Sequence, residues 1–182
     1  MSECGANPVL DDPTPGMHIW GWMSPAELAW LGGQAARMDT VVEVGSLRGR
    51  SSFALAAACP GTVWCIDPWN DEGWKAWNEE VGSRFDNVIG VREPSPQAAA
   101  RIPTPVDMVF IDGAHDYASV VADIECWLPR TTRLLCGHDY PPDDEVGPGG
   151  RAFPDVKRVV DELLGADNIT IAPGTAIWAY RP

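Results

Sequence analysis

Short apolar runs rich in β-branched residues recur at positions 41–44, 62–66, 87–91, 106–111 and 133–136, the pattern of strands covered on both faces. Between them the apolar positions switch to helical spacing. Residues 49–59 are small and apolar and stop at Pro60, while 117–128 carry Val120, Val121, Ile124, Trp127 and Leu128 along one face. Residues 154–164 repeat that spacing with Val156, Val159, Val160, Leu163 and Leu164, and Gly165 stands where a C-terminal cap belongs. Ahead of the first strand, Ser24-Pro25-Ala26-Glu27 supplies an N-cap, a proline at the first helical position and the acid of a capping box, predicting a helix over 24–37. Two last runs, 169–172 and 176–180, flank Pro173-Gly174-Thr175 and read as a closing hairpin.

This alternation predicts an α/β fold built on an open seven-stranded sheet, mostly parallel with a C-terminal antiparallel hairpin, and with helices on both faces. Residues 1–23 are expected to form an irregular N-terminal arm, because Pro8, Pro13, Pro15 and Gly16 break its periodicity, and 24–182 a single domain. Ligands of such sheets lie at the carboxyl ends of the strands, near the point where strand order reverses. The residues that follow each strand therefore carry the chemistry.

Composition narrows the partners. The 182 residues hold 13 basic and 26 acidic side chains, a net charge of −13 that repels phosphate backbones and anionic membranes. Neither a nucleic-acid nor a membrane partner is expected. Five cysteines (Cys4, Cys59, Cys65, Cys126, Cys136) show no metal-like spacing and read as free thiols of a reducing compartment. Without a signal-like N-terminus or a run of about 18 apolar residues, the expectation is a soluble cytoplasmic protein.

Three constellations stand at strand ends. In residues 41–52, a strand carrying Glu43 turns through Gly45, Ser46 and Gly49 into a helix that starts near Ser51. This is neither GxGxxG nor a P-loop, which disfavours a nicotinamide dehydrogenase. An acid beside a glycine turn suits a ligand carrying positive charge and hydroxyls, although a tight turn that binds nothing would read the same. In Cys65-Ile66-Asp67-Pro68-Trp69, the acid follows Gly45 by 22 positions, the spacing at which nucleotide-binding sheets hold ribose hydroxyls. The plainer alternative is a turn started by Asp-Pro. The third pairs Ile111-Asp112-Gly113-Ala114-His115 with Gly137-His138-Asp139. That cluster could coordinate Mg²⁺ or Mn²⁺ or hold a base, or Asp112 could simply cap a helix and His138 pack in the core.

Taken together, VVEVGSLRGRSSFALA, CIDPW, VDMVFIDGAHDY, ADIECWLP and LLCGHDY resemble class I S-adenosylmethionine-dependent methyltransferases over roughly residues 40–180. They are most similar to the small-molecule O-methyltransferases that include macrolide-sugar enzymes and, more distantly, the catechol and caffeoyl-CoA enzymes. The resemblance implies a Rossmann-like sheet, an S-adenosylmethionine cofactor and a small acceptor that is sugar-like or aromatic. It implies that Glu43, Gly45, Ser46, Gly49 and Ser51 hold the amino-acid end of the cofactor, Asp67 the ribose, and Trp69 and Ser95 the adenosine. It further implies Asp112, His138 and Asp139 as ligands of Mg²⁺ or Mn²⁺, with Asp112 also near the cofactor, and His115 as the base. Metal-dependent members carry Asp-Asp or Asp-Asn where this chain has His138-Asp139. A non-catalytic cofactor-binding module is the alternative, and a homodimer that shares its lid is a further expectation.

Nine tryptophans are many for this length. Trp20, Trp22, Trp69, Trp74 and Trp77 could line the mouth of the site or fill the core. Residues 141–153, rich in Pro, Gly and Asp, read as the loop where acceptor contacts vary.

Overall fold

A computed structural model describes residues 14–140 and 153–182. Helix α1 spans Pro25–Ala35, started as its sequence dictates: Ser24 Oγ accepts the Glu27 N–H while the Glu27 carboxylate accepts the Ser24 N–H. Ser24→Ala is expected to lower stability by about 1 kcal/mol, a fall of about 2–4 °C in the thermal midpoint by circular dichroism.

The chain then runs β1 (Thr40–Val44), α2 (Arg50–Ala58), β2 (Thr62–Ile66), α3 (Asp71–Trp77), β3 (Val88–Val91), α4 (Ser95–Ala98), β4 (Val106–Ile111), α5 (Tyr117–Trp127), β5 (Thr131–Gly137), α6 (Pro154–Leu164), β6 (Thr170–Ile171) and β7 (Trp178–Tyr180). The seven strands form one sheet in the order β3-β2-β1-β4-β5-β7-β6. Strands β1 to β5 pair in parallel, and β7 joins β5 and β6 antiparallel. This is the open mixed sheet expected from the alternation of elements.

Side chains of successive strand residues enter opposite layers. Val41, Met108, Phe110 and Leu134 pack with Leu28, Leu31, Leu55 and Trp77 under α1, α2 and α3. Val42, Val109 and Leu135 pack with Ile124, Trp127, Val159 and Val160 under α5 and α6. The central strands β1, β4 and β5 are thus covered on both faces, which is why their runs read as continuous rather than alternating.

Several elements differ from expectation. Helices α3 and α4 were not legible, because seven and four residues are too few for a periodic stripe. The signal for α3 lies in its cap instead: Asn70 Oδ1 accepts the Gly73 N–H at 2.8 Å. Strand β5 starts earlier than its apolar run because Thr131 pairs with Val106 across a register shift. The closing hairpin keeps only residues 170–171 and 178–180 as strands. Residues 14–23 form turns, yet Ile19 and Met23 are buried, and Arg50 ties them down by donating to the Ile19 and Met23 carbonyls.

Candidate active site

Strand order reverses between β1 and β4, and their carboxyl ends are held level. Gly45 N–H donates to the Ile66 carbonyl at 2.8 Å, Asp112 N–H to Val44 at 2.8 Å and His138 N–H to Ile111 at 3.1 Å. Residues just past four parallel strands therefore emerge along one edge. They surround a cavity of about 780 Å³, a size suited to a small ligand.

One end of the cavity is backbone-rich. Gly45 has φ +90°, and a Cβ there would lie 2.0 Å from the Asp112 carbonyl oxygen, so only glycine lets the turn approach the neighbouring strand. Leu47 is also left-handed, and its N–H donates to Asp67 Oδ2 at 3.0 Å. Burial raises the Asp67 pKa despite that bond and one from Trp69 N–H. Ser95 lines the same end, its Oγ accepting the Trp127 indole N–H at 2.8 Å, with buried Asp123 alongside.

The other end is a chain of alternating charges. His115 Nε2 lies 2.8 Å from Asp139 Oδ2 and 3.8 Å from Asp112 Oδ1, the nearer contact being an ion pair off the axis of the ring N–H. His138 Nδ1 faces Asp139 Oδ1 at 3.2 Å and Asp112 Oδ1 at 3.9 Å, while its Nε2 reaches Glu27 Oε1 at 2.9 Å. Asp139 adopts φ +60°, a left-handed conformation that aspartate tolerates better than most residues and that returns its carboxylate towards both rings. The neighbouring Asp112 and Asp139 carboxylates raise the His115 pKa to about 9 against the effect of burial. Burial opposes charge on His138 too, but the Asp139 and Glu27 carboxylates outweigh it and hold the pKa up to about 11. Asp139 is held below the usual carboxylate range by the two imidazoles, again against burial.

The methyltransferase domain family matches residues 42–140, more than half the chain. The chain belongs to this family. Three solved structures share the fold of this methyltransferase. The O-methyltransferase TomG from Streptomyces achromogenes, involved in tomaymycin synthesis and solved with S-adenosylmethionine (SAM), is 18% identical over 87% of this chain and 81% of its own, with a TM-score of 0.64. The Bacillus cereus O-methyltransferase complexed with S-adenosylhomocysteine (SAH) is 17% identical over 88% and 82%, TM-score 0.64. SAH-bound PaMTH1 from Podospora anserina is 13% identical over 86% and 78%, TM-score 0.68. No curated protein sequence matches the chain significantly.

Of the residues singled out in the sequence of this methyltransferase, Gly45, Ser46, Ser51, Asp67, Ser95, Asp112, His115, His138 and Asp139 all line the one cavity. Glu43, Gly49 and Trp69 do not. Glu43 shares the strand face of Val41, so its carboxylate enters the layer under α2, where it accepts from Ser46 Oγ at 2.6 Å and from Ser52 Oγ. Complete burial raises its pKa. Gly49 caps α2 at φ +96°, packed against Val81 and Trp77, and shapes the turn from behind. Trp69 is buried, its indole N–H donating to the Leu47 carbonyl at 2.5 Å, so it braces the turn instead of bordering the cavity.

The tryptophans divide. Trp69, Trp74 and Trp77 pack on one another, with ring centroids 5.0–5.3 Å apart, away from the cavity. Trp20 and Trp22 do line it while remaining 56% and 62% exposed, with Arg48 5.6 Å over Trp20. Residues 141–152 of the expected acceptor loop lie outside the described residues. Phe153 stacks on His115 at 4.0 Å. Sequence reasoning missed Glu27 and Asp123; the signal for Asp123 was an acid inside the apolar stripe of α5 between Val120 and Ile124. No described helix is long and apolar enough to cross a membrane.

Proposed function

We propose that the methyltransferase moves a methyl group from SAM to a hydroxyl oxygen of a small acceptor. One observation carries this reading: a single cavity joins the glycine turn and Asp67 to the Asp112, His115, His138 and Asp139 cluster. The cradle fits the cofactor, since glycine at 45 lets the turn close against the end of the neighbouring strand with its backbone along the cavity, and Asp67 offers a carboxylate to ribose hydroxyls. When bound, SAM supplies an electrophilic methyl on a sulfonium, which passes in line to the acceptor oxygen and leaves neutral SAH.

The chain's own residues align the reactants and handle the proton. Alignment alone is worth about 7–11 kcal/mol of barrier. Asp139 and Phe153 orient His115, which takes the acceptor proton on the ring nitrogen not paired with Asp139. Trp20 and Trp22 offer flat walls that hold a planar or sugar-like acceptor and exclude water.

The donor set also fits a divalent cation. Asp112, His138 and Asp139 each offer a ligand atom within 4.8 Å of the others, and two carboxylates with one imidazole suit Mn²⁺ or Mg²⁺. A cation held there would acidify a coordinated acceptor hydroxyl.

Calorimetric titration with SAH tests the cofactor, and repeating it with Mn²⁺ or EDTA tests the cation. Asp67→Asn is expected to weaken SAH binding about 10- to 100-fold, the worth of a charged hydrogen bond, while its amide oxygen still accepts the Leu47 N–H. Wild-type protein that ignores SAH in every condition would overturn the reading.

A further inference from the structure

The cluster at the cavity has a fifth member, contributed by an element outside the residues that match the family. Glu27 belongs to α1, at the third position of the capping box, and is 3% exposed. Its Oε2 accepts the Ser24 N–H at 2.7 Å. Its Oε1 accepts the Ala176 N–H at 3.3 Å and lies 2.9 Å from Nε2 of His138, itself 7% exposed. Helix α1, the closing hairpin and the end of β5 thus meet on one carboxylate. A carboxylate receiving two backbone N–H bonds is an acceptor only, so the hydrogen between Glu27 and His138 sits on Nε2.

We infer that Glu27 is the positioning residue of the active site: by taking the Nε2–H of His138 it turns the ring so that Nδ1 faces Asp112 and Asp139 across the cavity. The imidazole has two nitrogens, and the bond made by one decides what the other presents. With Nε2 tied to a buried acid, Nδ1 is the atom directed at the two carboxylates, 3.2 Å from Asp139 and 3.9 Å from Asp112. A carboxylate behind a histidine is also the arrangement that fixes an imidazole for metal ligation. The inference deepens the proposed function and rests on it for the cation, but its ring-orientation part stands on geometry alone.

Glu27→Gln is the sharp probe. Glutamine keeps the size and can still complete a capping box. Its carboxamide has one acceptor oxygen: with that oxygen on the Ser24 N–H, as the capping box requires, the NH₂ takes the place of Oε1 and donates to Nε2 of His138, which then carries no proton. Ser24→Ala is the control, because it weakens the same helix cap and leaves the contact between Glu27 and His138 in place. The chain has three histidines, which makes imidazole nitrogen NMR of the full-length protein readable without further labelling schemes.

In metal-free wild type and in Ser24→Ala, the His138 Nε2 proton is expected as an exchange-protected, downfield resonance with a cross-peak to the Ala176 amide proton. In Glu27→Gln that resonance should vanish while His18 and His115 signals persist. Mn²⁺ titration followed by paramagnetic resonance should show a Kd about 10- to 100-fold weaker in Glu27→Gln alone. A retained Nε2 proton in Glu27→Gln, or its loss in Ser24→Ala as well, would overturn the inference. So would a wild-type spectrum lacking the cross-peak to Ala176, which keeps the question decidable if Glu27→Gln does not fold. Wild-type protein that shows the resonance but binds no Mn²⁺ would support the positioning role and remove the cation from the proposed function.

Discussion

Replacing His115 with alanine is expected to lower kcat/KM for methyl transfer by about 10²- to 10⁴-fold, the range for loss of a general base, while SAH binding stays near wild type. The ring sits at the acidic end of the cavity, paired with Asp139 and stacked on Phe153, so its removal strips the proton acceptor and leaves the cofactor cradle intact. The pH profile gives a second reading. The Asp112 and Asp139 carboxylates raise the His115 pKa to about 9, and a base acts only after losing its proton. Activity without added cation should therefore climb with pH through about 9. Asp139→Asn removes one of those partners and should move the climb to lower pH. His115→Ala turning over normally at saturating acceptor would sink the assignment.

The second large effect is expected at Gly45. Alanine there must hold φ near +90° and place its methyl 2.0 Å from the Asp112 carbonyl oxygen. Backbone strain and overpacking each contribute about 1–3 kcal/mol, so the thermal midpoint should drop by roughly 5–15 °C. The only relief is to part the ends of β1 and β4, which breaks the bond from Asp112 N–H to Val44 and opens the cradle. SAH affinity should fall below detection by calorimetry. A Gly45→Ala protein with wild-type melting and SAH affinity would mean that the turn is not shaped as described.

Much of the candidate site was legible because parallel sheets concentrate function just past the strands. Asp67, Asp112, His115, His138 and Asp139 each follow an apolar run within a few residues, and the register levels those ends so that all five reach one cavity. Glu43 does not line the cavity, for a reason also present in the pattern. Counting by twos along 41–44 sets it on the face of Val41, into the helical layer, whereas sequence proximity to Gly45 drew it towards the ligand. Trp69 stands beside Asp67 in sequence, but its indole turns back to the Leu47 carbonyl, and no local signal announces that choice. Helix α4 escaped notice because four residues carry no period.

What the sequence by itself determined is whatever depends on neighbours along the chain: the strand runs, the capping box at Ser24, the glycine turn, and the acids and imidazoles that follow the strands. Only the tertiary structure decided which distant groups meet. Glu27 and His138 are separated by 111 positions and share a hydrogen bond, and Trp20 and Trp22 reach the cavity because Arg50 ties down the segment that bears them. Local conformation follows from sterics and hydrogen bonding over a few residues, which a linear pattern records. Packing between elements follows from how helices and loops settle on the two faces of the sheet, a three-dimensional fit that no periodicity along the chain encodes.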